Sequence, residues 1–106
     1  MANPTSIVDE PVVFNVSSTE ASLTLSKRRY QIYHNGLTNA STPVETSEVV
    51  YISFGTTAVD ADGSEGANKT ILTPTTPPII VGPGLDQINF KTAANSATVS
   101  VVPVGF

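Results

Sequence analysis

One histidine, one acidic loop and one glycine-rich turn are the places where this chain could do chemistry. His34 is the single imidazole. A histidine works as a catalytic base only when a nucleophile and an orienting carboxylate lie within reach. No Gly-x-Ser-x-Gly elbow is present. Alternation groups His34 with Tyr30 and Ile32 at the end of a strand, where it is expected to be partly buried. The run Asp60-Ala61-Asp62-Gly63-Ser64-Glu65 offers carboxylates around a glycine, the oxygen set a hard cation wants. The EF-hand spacing is not met, so the run reads as a solvated acidic loop or a weak cation site. Gly82-Pro83-Gly84 lacks the lysine and following helix of a phosphate cradle. The sequons at Asn15, Asn39 and Asn68 carry no meaning without a secretory signal. No catalytic residue, cofactor or metal ligand is assigned, and an enzyme is not expected.

Binding is the better prospect. Lys27, Arg28 and Arg29 are the sharpest charge feature of an acidic chain. Arginine there suits bidentate contact with acidic loops of a neighbouring subunit, or else the cluster is a solvated approach to a strand. Tyr33 and Tyr51 share an outer face if their strands pair, as a sugar platform or an interface anchor. Alternatively they pack against a second sheet. Ile7 and Val8 give the polar N-terminal stretch one apolar hook, and Phe106 is an aromatic with a docking role to fill.

The elements that must position these residues are strands. Residues 27–55 form the organising stretch: a basic approach, a strand, a polar connection, a more apolar strand and a closing glycine. Tyr30, Ile32 and His34 point one way, with Gln31, Tyr33 and Asn35 opposite; Val50, Ile52 and Phe54 oppose Val49, Tyr51 and Ser53. These two strands are read as a central pair. Before them, residues 12–16 and 21–26 alternate around a polar turn and are read as a hairpin, with Val12, Phe14, Val16 and Ala21, Leu23, Leu25 inward. After them come short strands at 69–73 and at 79–81, the latter expected to be buried. Pro74, Pro77 and Pro78 lie between them and cannot donate to a ladder.

Residues 85–92 put Ile88 and Phe90 inward and Gln87, Asn89 and Lys91 outward. Residues 97–104 put Ala97, Val99 and Val101 on one face, with Pro103 marking an edge or an exit. The 36–47 connection is longer than most and is either a functional loop or a loose one. About eight short strands with regularly spaced turns make an all-β chain, a two-sheet sandwich or jelly roll. Residues 1–11 are expected as an extended arm and 12–106 as a single domain.

Composition narrows the partners. Of 106 residues, 40% are hydrophobic, enough for a core, and only 13% are charged, about half the usual share. Net charge is −4 with the basic residues few, which argues against nucleic acid. Without cysteine, neither disulfides nor thiolate metal sites hold the fold. No apolar run is long enough to span a bilayer. The first eleven residues lack the basic start and apolar core of a signal peptide, so synthesis in the cytoplasm is expected.

Residues 28–55 resemble a pattern in small structural proteins of tailed bacteriophages: a basic residue, a strand ending in Asn-Gly, a loop, then Val-Tyr-Ile-x-Phe-Gly. The matching residues here are Arg29, Ile32, Asn35-Gly36 and Val50-Tyr51-Ile52-Ser53-Phe54-Gly55. A glycine-rich turn at 82–85 and a Val-rich strand at 98–104 are also similar. The resemblance implies a β-sandwich capsid decoration (cement) protein that bridges major capsid subunits on the outside of the shell, as a dimer or trimer, without catalytic residues. It implies a virion location. The long 36–47 connection departs from the pattern and leaves room for a tail or neck role. A carbohydrate- or receptor-binding β-module, using Tyr33, Tyr51 and the 36–47 loop, is the alternative of a different class.

Overall fold

The structure is a computed structural model and describes residues 9–26, 28–38, 42–55 and 70–105. Alternation becomes eight strands among the described residues: β1 (Val12–Val16), β2 (Ala21–Thr24), β3 (Arg29–His34), β4 (Val50–Phe54), β5 (Thr70–Leu72), β6 (Ile79–Val81), β7 (Gln87–Thr92) and β8 (Ala97–Gly105). They form two four-stranded sheets, ordered β1-β8-β3-β6 and β2-β7-β4-β5. Every pairing is antiparallel.

The pairings nest. β1 pairs with β8, β2 with β7, β3 with β6 and β4 with β5. The chain is thus one long hairpin doubled back between β4 and β5. Rolling that hairpin brings β8 beside β3 and β7 beside β4, which completes an eight-stranded jelly roll.

Two expected pairings are not made. β1 and β2 do not form a hairpin; they lie in different sheets, and each takes a partner from the C-terminal part of the chain. Nor are β3 and β4 a central pair, since they too sit in opposite sheets. Alternation reports which side chains face inward but says nothing of which backbone lies alongside. Residues 17–20 and the 36–47 connection therefore cross between layers instead of reversing within one.

The inward faces agree with the sequence. Phe14, Val16, Leu23, Tyr30, Ile32, Val50, Ile52, Ile88, Phe90, Ala97, Val99 and Val101 are all buried. Phe14 of β1 and Phe90 of β7 meet across the layers, with ring centroids 5.1 Å apart and planes tilted by 41°. The separation is within the range over which aromatic pairs attract. Tyr30 is fully buried, and its hydroxyl is satisfied four residues upstream. It accepts the Ser26 N–H at 2.8 Å and shares a 2.7 Å bond with Ser26 Oγ. A tyrosine reaching back to the backbone where a chain enters a sheet is a tyrosine corner.

Two further readings need correction. β6 is an edge strand and not a buried one, because only β3 pairs with it and Ile80 faces solvent. Asn89 has the outward phase expected of it but is buried, for a reason given below. Pro103 behaves as its missing N–H requires. The β1 ladder stops at Val101, and the β3 ladder shifts register between Tyr30, opposite Pro103, and Arg29, opposite Gly105.

The turn after β6 is fixed by a close approach. Gly82 has φ +84°, and a Cβ on it would fall 2.5 Å from the Arg28 carbonyl oxygen. Backbone, not a movable side chain, occupies that space. Gly82→Ala should therefore cost about 2 kcal/mol or more, since it combines a disfavoured φ with a clash. Urea unfolding of the variant checks this; a midpoint equal to that of the parent contradicts it.

Candidate interaction surface

The jelly roll has two outer faces, and they differ in chemistry. On the β2-β7-β4-β5 sheet, residues out of phase with the core include Ser22, Gln87, Asn89 and Ser53, and a row of Lys91, Tyr51 and the exposed Ile71. Register places Ser22, Asn89 and Ser53 in one row across three strands. Asn89 Oδ1 accepts from Ser22 Oγ at 2.6 Å and from Gln87 Nε2 at 2.8 Å. Its Nδ2 donates to Ser53 Oγ at 3.1 Å and to the Gly55 carbonyl at 2.9 Å. Both lone-pair sites and both N–H groups of the amide are used. These bonds let Asn89 and Ser53 be buried on an outward phase. They also hold Gly55, at φ +68°, beside β7.

The β1-β8-β3-β6 sheet presents more apolar side chains. One row across it runs Val13, Ser100, Tyr33, and the next runs Val102, Gln31, Ile80. Val13 is 69% exposed, Ile80 56% and Val104 46%. Arg29, also exposed, stands at one end of β3. Valine and isoleucine at solvent-facing strand positions, with few charges among them, are the composition of a contact surface.

The far end of this face is built by the chain leaving β3. Asn35 N–H donates to the Thr98 carbonyl at 3.0 Å, and Thr98 N–H donates to the Leu37 carbonyl at 3.0 Å. The Asn35 side chain takes a bond from Ser100 Oγ at 2.8 Å. Beyond Gly36, at φ +74°, the two described legs of the 36–47 connection are paired. Leu37 bridges Glu45, Thr38 N–H donates to the Val44 carbonyl, and Thr46 N–H donates to the Gly36 carbonyl, both at 2.9 Å. This small hairpin leaves a shallow hollow of about 350 Å³ against Val13, Thr98 and Ser100. On its other side lies an open groove of about 860 Å³, shared with Thr73, Pro74 and Thr75 of the β5–β6 connection.

His34 sits at the root of the hairpin, 7% exposed. Its Nδ1 takes the Gly36 N–H at 2.8 Å, and its Nε2 lies 2.8 Å from the Glu48 carbonyl oxygen. An amide N–H only donates and a carbonyl only accepts, so Nδ1 is bare and Nε2 carries the proton. Neither nitrogen is left for general base chemistry. The Glu48 carboxylate is engaged elsewhere, accepting from Ala94 N–H at 3.3 Å and Asn95 Nδ2 at 3.1 Å. Among the described residues no group of three or more His, Cys, Asp or Glu is placed to hold a metal ion. The acidic run 60–65 lies outside the described residues.

Of the sequence-predicted contact residues, Arg28, Arg29, Tyr33 and Tyr51 lie among the described residues. Ile7, Val8, Lys27 and Phe106 lie outside the described residues. Arg28 is 4.0 Å from Asp9 Oδ1 of its own chain, a loose pair of little energetic weight. Tyr33 and Tyr51 do not share a face, because their strands belong to opposite sheets; no two-tyrosine platform forms. The residues overlooked were Val13, Ile80, Val102 and Val104. Their signal was present as apolar side chains at the phase opposite the core positions of β1, β6 and β8.

No family model matches the chain, and no curated protein or solved structure matches it.

The amide network makes a direct prediction. Asn89→Ala leaves Ser53 Oγ and the Gly55 carbonyl without their Asn89 bonds in a buried place, and should destabilise by about 2–3 kcal/mol. Ser22→Ala, which removes one of the two bonds to Oδ1, should cost about 1 kcal/mol. Equal, near-zero losses in chemical denaturation would show that the network contributes no stability.

Proposed function

We propose that this chain is a non-enzymatic structural protein of a tailed-phage virion, a capsid decoration protein that binds the major capsid protein through the outer face of the β1-β8-β3-β6 sheet. The observation that carries the reading is that face: Val13, Tyr33, Val102, Ile80 and Val104 in adjoining positions, with Arg29 at its margin. On the opposite face the Ser22, Gln87 and Asn89 side chains are mutually bonded, and Ile71 beside Tyr51 is the one exposed large aliphatic among its described residues. A jelly roll suits the task physically. Its pairings join distant parts of the chain, so the body is rigid and little ordering entropy is lost on docking. Repetition over a shell multiplies a modest affinity at each site. The resemblance of residues 28–55 to small phage structural proteins points the same way, and so does the commitment of both His34 nitrogens to the fold.

Co-sedimentation with shells assembled from the major capsid protein tests the proposal. The wild-type chain should pellet with shells. Val13→Glu and Ile80→Glu, at exposed positions where surface changes usually shift stability by under about 0.5 kcal/mol, should each weaken binding tenfold or more. Tyr51→Ala, on the other outer face, should bind as wild type. Failure of the wild-type chain to bind head shells, with binding to tail or neck assemblies instead, replaces the decoration role by an accessory one. Unchanged binding of both glutamate variants removes this face from the interface.

A further inference from the structure

Of the buried side chains among the described residues, His34 is the one with an imidazole, a ring that can carry one proton or two. Its bonds close both ends of one excursion of the chain. Gly36, two residues after it, opens the hairpin; Glu48, fourteen residues on, precedes β4. The ring thus spans the base of the hairpin, and it does so only as the neutral Nε2–H tautomer. A proton on Nδ1 faces the Gly36 N–H, turning a donor–acceptor contact into two opposed donors. The Nε2–H···O=C bond to Glu48 survives protonation; the bond to Gly36 does not.

The charges around the site do not compensate. On the elements packed here, β3 brings Ile32 and Tyr33, and β8 brings Val99 opposite His34. The two carboxylates of the connection are Glu45, exposed at the Leu37 bridge, and Glu48, turned to Ala94 and Asn95. No lysine, arginine, aspartate or glutamate is among the described buried residues.

We propose that His34 is an acid-released clasp on the two legs 36–38 and 44–46. Neutral, it holds Gly36 in place, and Gly36 in turn accepts the Thr46 N–H. Protonated, it lets go of Gly36, and the Gly36–Thr46 and Thr38–Val44 bonds open with it. Asn35 and Leu37 line both the hollow beside Val13 and the groove beside Pro74, so release remodels both surfaces while the sheets stay paired. This inference is independent of what the protein binds, and its test uses the isolated chain.

The test is amide exchange followed by NMR from neutral to mildly acidic pH, with protection taken relative to the unstructured chain. Gly36 and Thr46 should lose at least tenfold in protection as the pH falls. Leu25 and Thr92, whose N–H groups bond Asp86 and Ser17, should keep theirs. Ring nitrogen shifts at neutral pH should report a proton on Nε2 alone. In His34→Gln, which cannot take up a proton, the step should vanish whatever the variant's baseline protection. In Glu48→Gln it should persist, since only the Glu48 backbone oxygen meets the ring. The proposal is overturned by a flat profile in the wild-type chain, by a step surviving in His34→Gln or vanishing in Glu48→Gln, by a proton on Nδ1 at neutral pH, or by equal loss at all four amides.

Discussion

Strand β8 is the constraint on which the rest of the molecule depends. It is hydrogen-bonded on both sides, to β1 at the start of the chain and to β3 further on. Its inward residues Ala97, Val99 and Val101 complete one wall of the core. Without it the β1-β8-β3-β6 sheet becomes a lone edge strand and a separate pair, neither stable by itself. The strand's outward residues matter as much. Thr98 and Ser100 fix Asn35 and the path of the hairpin leg, and Val102 contributes to the exposed apolar face. One strand therefore sets the core, the loop and the candidate contact surface together.

The two outer faces illustrate how differently a sandwich disposes of its solvent-facing positions. On the β7 side, an asparagine with all four hydrogen-bonding positions filled removes polarity from the surface by satisfying it internally. On the β8 side, Val13, Ile80 and Val104 remain in contact with water, against Ile71 alone of the exposed large aliphatics on the β7 side, at a cost of about 25 cal/mol per Å² of apolar area left uncovered. A domain that leaves such residues uncovered gains free energy when a partner covers them. That difference is what the proposed contact surface rests on.

His34 shows why residue type alone is a poor guide to role. A lone histidine near serines and glutamates invites a catalytic reading. Geometry assigns it to architecture: one nitrogen serves the residue that opens the hairpin and the other the residue that closes it. The same arrangement makes the local structure dependent on the protonation state of one ring, because an imidazole is a donor and an acceptor at once only while neutral.

The sequence by itself determined the class of fold, the strand positions and the inward residues. These follow from two-residue alternation and from glycine and proline at the turns, properties carried within a few neighbouring residues. It also held, unread, the outward valines of β1 and β8 and Ile80 between Ile79 and Val81. What only the tertiary structure decided was partnership: β1 with β8 and not β2, β3 with β8 and not β4, and hence Tyr33 and Tyr51 on opposite sides of the molecule. Backbone hydrogen bonds are the same for every residue, so a strand's neighbour is chosen by the packing of the whole chain. The roles of Asn89 and His34 were decided at that level too, since each is defined by partners that the roll of the two sheets brings within reach.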